Sequence, residues 1–72
     1  MTTDELAKAL RTSYDSAPTR EKAVQVVLFG IVYSEHLSGQ SIAEVTKRSG
    51  IGDWGPQVSL GVNLSNHVLV KQ

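Results

Sequence analysis

From Thr19 to Leu37 the chain holds no turn signal except the lone Gly30, and its middle, Ala23-Val24-Gln25-Val26-Val27-Leu28-Phe29-Gly30-Ile31-Val32-Tyr33, is almost wholly apolar. The β-branched residues would suit a buried strand. Strands usually run for about 5–6 residues, however, and the unbroken length of this segment argues for a helix. An apolar circumference that is nearly complete around Val26 to Val32 marks a central helix contacted on several sides. Val24, Val27, Leu28, Ile31 and Val32 are expected at the centre of the core. Pro18 suits the first turn, where its missing amide costs nothing, and Ser38-Gly39 closes the helix. Gly30 disfavours a helix interior by about 1 kcal/mol against alanine, so it is expected to admit a neighbouring helix at close range.

The elements that pack on this helix must come from a short chain. Seventy-two residues leave room for one domain and one modest core; a domain of this size buries about 60% of the surface its unfolded chain exposes. There is no cysteine, hence no disulfide and no thiolate metal site. His36 and His67 are far apart and assemble no zinc-type cluster. No cofactor is implied. The start, Met-Thr-Thr-Asp-Glu-Leu, lacks the basic and apolar regions of a secretory signal. The most apolar stretch, Val26 to Tyr33, is far short of the about 20 residues a membrane helix needs. No membrane partner is expected, and a cytoplasmic location is the default.

Local signals divide the rest. Thr2 and Glu5 have capping-box spacing, and Asp4 and Glu5 suit the positive end of a helix dipole. Leu6, Ala9, Leu10 and Tyr14 then form one apolar stripe, with Lys8, Arg11 and Asp15 opposite, until Ser16-Ala17-Pro18 ends the element. Ser41 and Glu44 repeat the capping-box spacing. Ile42 and Val45 are expected to face the core with Ser49 beneath them, and Lys47 and Arg48 occupy the last turn, where cations suit the dipole. Gly50 is expected to take positive φ as the left-handed stop, sealed by Ile51. In the final segment Val58, Leu60, Val62 and Leu64 alternate with Ser59, Gly61, Asn63 and Ser65. That pattern allows a strand turning at Asn66-His67 into Val68-Leu69-Val70, a wing-like hairpin. Helical spacing instead gathers Val58, Gly61, Val62, Leu64, Ser65, Val68 and Leu69 on one face and leaves Ser59, Asn63 and Asn66 opposite. With Asp53 as N-cap and Pro56 in the first turn, a helix from about Trp54 to about Asn66 is favoured. The expected fold is an all-α, compact four-helix domain spanning residues 1–72.

Ser41 to Ile51, Ser-Ile-Ala-Glu-Val-Thr-Lys-Arg-Ser-Gly-Ile, resembles the first helix and turn of bacterial helix-turn-helix regulators of the lac-repressor type. Val45 stands at the first buried position, Thr46 at the small residue that lets two helices cross, and Ser49-Gly50-Ile51 at the turn. The connection departs from that pattern, because Gly52-Asp53-Trp54-Gly55-Pro56 brings Val58 about two residues late. Over Ala23 to Lys71 the chain resembles a family of small, uncharacterised bacterial helix-turn-helix-like domains. The features that carry this are Leu28-Phe29-Gly30-Ile31 with Tyr33, Ile42 to Ile51, Trp54-Gly55, Val58, Gly61, Asn63-Leu64 and Val68.

The resemblance implies a fold and no catalytic signature. It makes duplex DNA the first candidate partner: Gln57, Ser59, Asn63 and Asn66 would reach base edges, and Lys47, Arg48 and Lys71 would hold phosphates. The opposing reading is a solvated polar face on a protein-interaction or dimerisation module of the same shape, a homodimer included. The charge balance, seven basic against seven acidic residues, favours neither strongly. Trp54 is expected to anchor its turn against the core, and His67 to be a surface or helix-end residue. Ser34, Glu35 and His36 are consecutive on a helix, so their side chains diverge and form no nucleophile-base pair. Gly50-Ile51-Gly52 lacks the strand and lysine of a phosphate loop. The chain is read as a non-enzyme with no small-molecule ligand.

Overall fold

Thr2 starts the first helix as the spacing predicts. Its hydroxyl accepts from the Glu5 amide at 3.1 Å, and its own amide donates to Glu5 Oε1 at 2.8 Å, closing the capping box. The helix, α1 (Thr3–Ser16), buries Leu6, Ala7 and Leu10 on one face. A computed structural model describes residues 1–68. After α1 come a 3-10 turn (Thr19–Glu21), α2 (Lys22–Val32), α3 (Ser34–Leu37), α4 (Ile42–Ser49) and α5 (Gly55–Leu64). The described residues are all helix and connection, without a strand, so Val58 to Leu64 does not form the first arm of a hairpin. Leu69 and Val70, in its second arm, lie outside the described residues.

The expected single helix from Pro18 to Leu37 is divided, which gives five α-helices among the described residues where four were expected. Pro18 caps the 3-10 turn and lies outside α2. At the other end Tyr33 leaves helical geometry, with φ −100° and ψ 16°. Its ring stacks on Phe29 at 4.8 Å between centroids. The bend carries Leu37 into the core, where it is 3% exposed.

Lys22, the first residue of α2, closes the end of α1. Its ammonium donates to the carbonyls of Tyr14 at 2.7 Å and Ala17 at 3.1 Å, and lies 4.2 Å from the centre of the Tyr14 ring. α1 has no basic residue in its own last turn, so this cation serves the negative end of its dipole.

The face of α2 that is buried differs from the expected one. Val26, Phe29 and Gly30 are buried, whereas Val24 is 54% and Val32 39% exposed, and Val27, Leu28 and Ile31 are only half-buried. The reason is the crossing with α5, which takes place backbone to backbone at Gly30 and Gly61. A Cβ built on Gly30 would run into the Val58 carbonyl oxygen and lie 3.0 Å from Gly61 Cα; one built on Gly61 would run into the Val27 carbonyl oxygen and lie 2.9 Å from Gly30 Cα. This contact fixes the rotation of α2, turning Val26 and Phe29 inward to Leu6, Leu10, Val45 and Val58 and the Val24 side outward. The close approach expected of Gly30 is observed, with a second glycine as its counterpart.

Two outcomes follow from these contacts. Gly30→Ala should destabilise the domain by about 3 kcal/mol or more, since the added methyl meets backbone that cannot swing aside. Val24→Ala should stay within about 0.5 kcal/mol. Urea unfolding followed by circular dichroism measures both. The second outcome concerns pH. Hydrogen bonds from the Thr2 backbone amide first, and from its side chain next, hold the Glu5 carboxyl below its ordinary value of 4.5. The capping contribution is therefore complete above that value and is lost as the pH falls through the lower native one. Amide shifts of Thr2 and Glu5 should follow this titration, and Glu5→Ala should abolish it.

Candidate helix-turn-helix surface

α4 begins at Ser41, whose hydroxyl accepts from the Glu44 amide at 3.2 Å. Val45, Thr46 and Ser49 form its buried face. The buried hydroxyls are satisfied within the helix: Thr46 Oγ1 donates to Ile42 O at 2.8 Å, and Ser49 Oγ donates to Thr46 O at 2.6 Å. Gly50 ends the helix with φ +72° and ψ 13°, the expected left-handed stop, and Ile51 packs into the core behind it. Thr46 is the small residue at the approach of the next helix, since a Cβ on Gly55 would lie 3.8 Å from Thr46 Oγ1.

The connection to α5 is built differently from expectation. Trp54, not Asp53, is the N-cap, and no side chain caps the helix, while Pro56 occupies its first turn. Trp54 packs against the core and lies 5.8 Å from the Tyr14 ring. That contact secures the turn in place of a capping carboxylate. Asp53 is exposed and, with Ala43, Thr46, Lys47, Gly50 and Pro56, lines a shallow groove between α4 and the start of α5. α4 and α5 are thus joined by a connection that opens on the left-handed Gly50.

A family model described as an HTH-like domain matches residues 2–71. The chain belongs to that family. No curated protein and no solved structure matches it. The matched span takes in α1 as well as the Ala23 to Lys71 stretch, so the first helix is part of the HTH-like unit. Contacts between α1 and α4 bear this out: Arg11 Nη1 donates to the Ser49 carbonyl at 3.3 Å, while its Nε is paired with Asp15 at 2.8 Å.

The residues expected on a binding face do not share one surface. Asn63 is exposed on the outward side of α5, and Ser59 is half-buried beside it. Asn66 is exposed beyond the end of α5, where its Nδ2 donates back to the Asn63 carbonyl at 3.4 Å. Gln57 lies about a third of a turn round the helix from Asn63. It is half-buried, and its Oε1 is enclosed without a protein hydrogen-bond partner, so it presents no outward amide. Arg48 is engaged by two carboxylates, Asp4 at 2.9 Å and Glu44 at 3.2 Å. Hydrogen bonds to Asp4 and then Glu44 raise its pKa further above the ordinary guanidinium value. Lys47 is exposed and, among the described residues, makes no ion pair. Lys71 lies outside the described residues.

One residue of this surface escaped the sequence reading. Leu60 is 50% exposed. It stands four positions after Pro56 and three before Asn63, both exposed, and therefore at the middle of the outward face. The signal was its three-residue step from Asn63, which a strand-like alternation with Ser59 and Gly61 obscured.

The turn geometry yields a direct test. Gly50→Val places a β-branched residue at positive φ and brings its Cβ within 3.3 Å of Arg11 Nη1. It should lower stability by about 1–3 kcal/mol, whereas Lys47→Ala should change it by less than about 0.5 kcal/mol. Thermal melts of the two variants distinguish them.

Proposed function

We propose that this domain acts by docking on protein, through the outward face of α5 and the exposed flank of α2, in the cytoplasm and without catalysis. The observation that carries this reading is the chemistry of α5. No residue from Gly55 to Leu64 is charged, and half-exposed Leu60 occupies the middle of the outward face. Affinity for nucleic acid comes largely from cations that neutralise phosphates. Arg48 already serves Asp4 and Glu44, which among the described residues leaves Lys47 as the cation of α4 outside an ion pair, in a groove that Asp53 also lines. An apolar residue with Ser59 and Asn63 beside it has the composition of a protein contact, where an apolar centre meets a polar rim.

A second reading, duplex DNA binding in transcriptional regulation, is favoured by one feature. The Gly50 turn leads from α4 to a helix that carries exposed Asn63 and half-buried Ser59 on its outward side, as a base-reading helix requires.

Titration of isotope-labelled protein with mixed-sequence duplex DNA at low salt separates the two. The expected result is that the amides of Lys47, Ser59, Leu60 and Asn63 do not move at millimolar duplex. Saturable shifts at those amides would replace the protein-docking reading with the DNA reading. Asn63→Ala would then weaken one preferred sequence more than others.

A further inference from the structure

Three cations of this chain meet in one place. Lys8 and Arg11 of α1 and Arg48 of α4 line a groove between those two helices, and Asp4 lines it with them. Left bare, such a cluster draws in polyanions. Each guanidinium is instead answered by carboxylates. Arg11 Nε pairs with Asp15 at 2.8 Å, and Arg48 pairs with Glu44 through Nε at 3.2 Å and with Asp4 through Nη1 at 2.9 Å. Glu44 lies one turn back on the helix of Arg48, but Asp4 comes from the first turn of α1, 44 positions away. Neither need of the fold explains Asp4. The capping of α1 falls to Thr2 and Glu5. The Asp4 side chain is 80% exposed, and an ion pair so open to water contributes little to stability. Its lasting effect is the negative charge it sets beside Arg48.

We propose that Asp4 and Glu44 are specificity-determining residues, which keep nucleic-acid phosphate out of the α1–α4 groove by holding Arg48 between them. This goes beyond the protein-docking reading, since it names what one side of the domain rejects and the residues that reject it. A phosphodiester that reaches Arg48 finds two carboxylates on the same guanidinium. It must displace them or lie against like charge. Discrimination between partners often depends on such a repulsive element. The charge balance of the groove turns on this pair. As the chain stands, Asp4, Glu44 and Asp15 match Lys8, Arg11 and Arg48 one for one. With Asp4 and Glu44 neutralised, Asp15 alone opposes the three cations, and Arg48 has all its donors free for an anion.

The test compares binding of mixed-sequence duplex DNA by the full wild-type chain and by Asp4→Asn/Glu44→Gln, in amide titrations at about 50 mM and about 200 mM salt. Both substitutions keep the side-chain shape, and the caps formed by Thr2, Glu5 and Ser41 do not use the altered carboxylates, so the helical circular dichroism should be retained. Freeing Arg48 adds about one phosphate contact, which steepens the logarithmic salt slope by about 0.9 and is worth about tenfold in affinity at the lower salt. Saturable shifts of the Lys8, Thr12, Arg48 and Ser49 amides should therefore appear at millimolar duplex in the double variant. Adding Arg48→Ala should remove them. Glu21→Gln/Glu35→Gln, at exposed residues outside the groove, makes the same change in net charge and should gain less than about twofold, because charges beyond the Debye length of about 10 Å are largely screened. A double variant as indifferent to duplex as the wild type overturns the proposal, and so does an equal gain in the charge-matched variant. A loss of stability without a gain in binding would make the two carboxylates ties between helices and nothing more. Wild-type shifts on α5 would remove the protein-docking reading, whereas the ratio of variant to wild type decides the role of Asp4 and Glu44 however the wild type behaves.

Discussion

The contact on which the rest of the molecule depends is the meeting of Gly30 and Gly61. Each glycine is placed where a side chain would strike the other helix's backbone, so α2 and α5 meet backbone to backbone. That closeness sets the rotation of α2 about its own axis. Val26 and Phe29 consequently face Leu6, Leu10 and Val45, and the equally apolar Val24, Leu28 and Val32 are turned outward. The side of α2 that faces water is thus chosen by where a side chain is missing.

A second constraint is electrostatic and concerns the helix ends. Lys22 closes the carbonyl end of α1. Arg11 reaches from α1 to the last carbonyl of α4, that of Ser49. Arg48 bridges Glu44 on α4 and Asp4 on α1. These cations act between elements, which suits a chain with a small core and no covalent cross-link. Of the three, Arg48 was expected to hold phosphate, and its two carboxylates engage it instead. The family match over residues 2–71 establishes the HTH-like fold, and fold does not by itself carry function.

The parts of the fold that were legible in the sequence are the parts fixed by neighbours along the chain. The Thr2–Glu5 capping box and the left-handed stop at Gly50 each depend on residues within a turn of one another and appear as read; the second box forms only in its Ser41 half, because the Glu44 carboxylate is bonded to Arg48. The phase of α2 was not legible, because a helix apolar nearly all round gives periodicity nothing to lock onto, and its partner glycine lies in a distant element. The division at Tyr33 likewise follows from tertiary needs, Leu37 reaching the core and Tyr33 stacking on Phe29. On the candidate surface, Asn63 and Lys47 were placed outward correctly. Arg48 and Gln57 were not available as read, since pairing with Asp4 and enclosure of an amide oxygen are decided by contacts between helices. Asp53 gave way to Trp54 as the cap because an aromatic anchor on Tyr14 held the turn instead.

The uncharged character of α5, and of α2 after Lys22, also has a kinetic meaning. A partner approaching either helix is not drawn in by a long-range field, so encounters should proceed at the unsteered rate of about 10⁵–10⁶ M⁻¹s⁻¹ and change little with ionic strength. Discrimination between partners is then left to the lifetime of the contact, which depends on how well apolar side chains such as Val24 and Leu60 interlock. A surface of this kind selects slowly and by shape, and it works as well in concentrated salt as in dilute buffer.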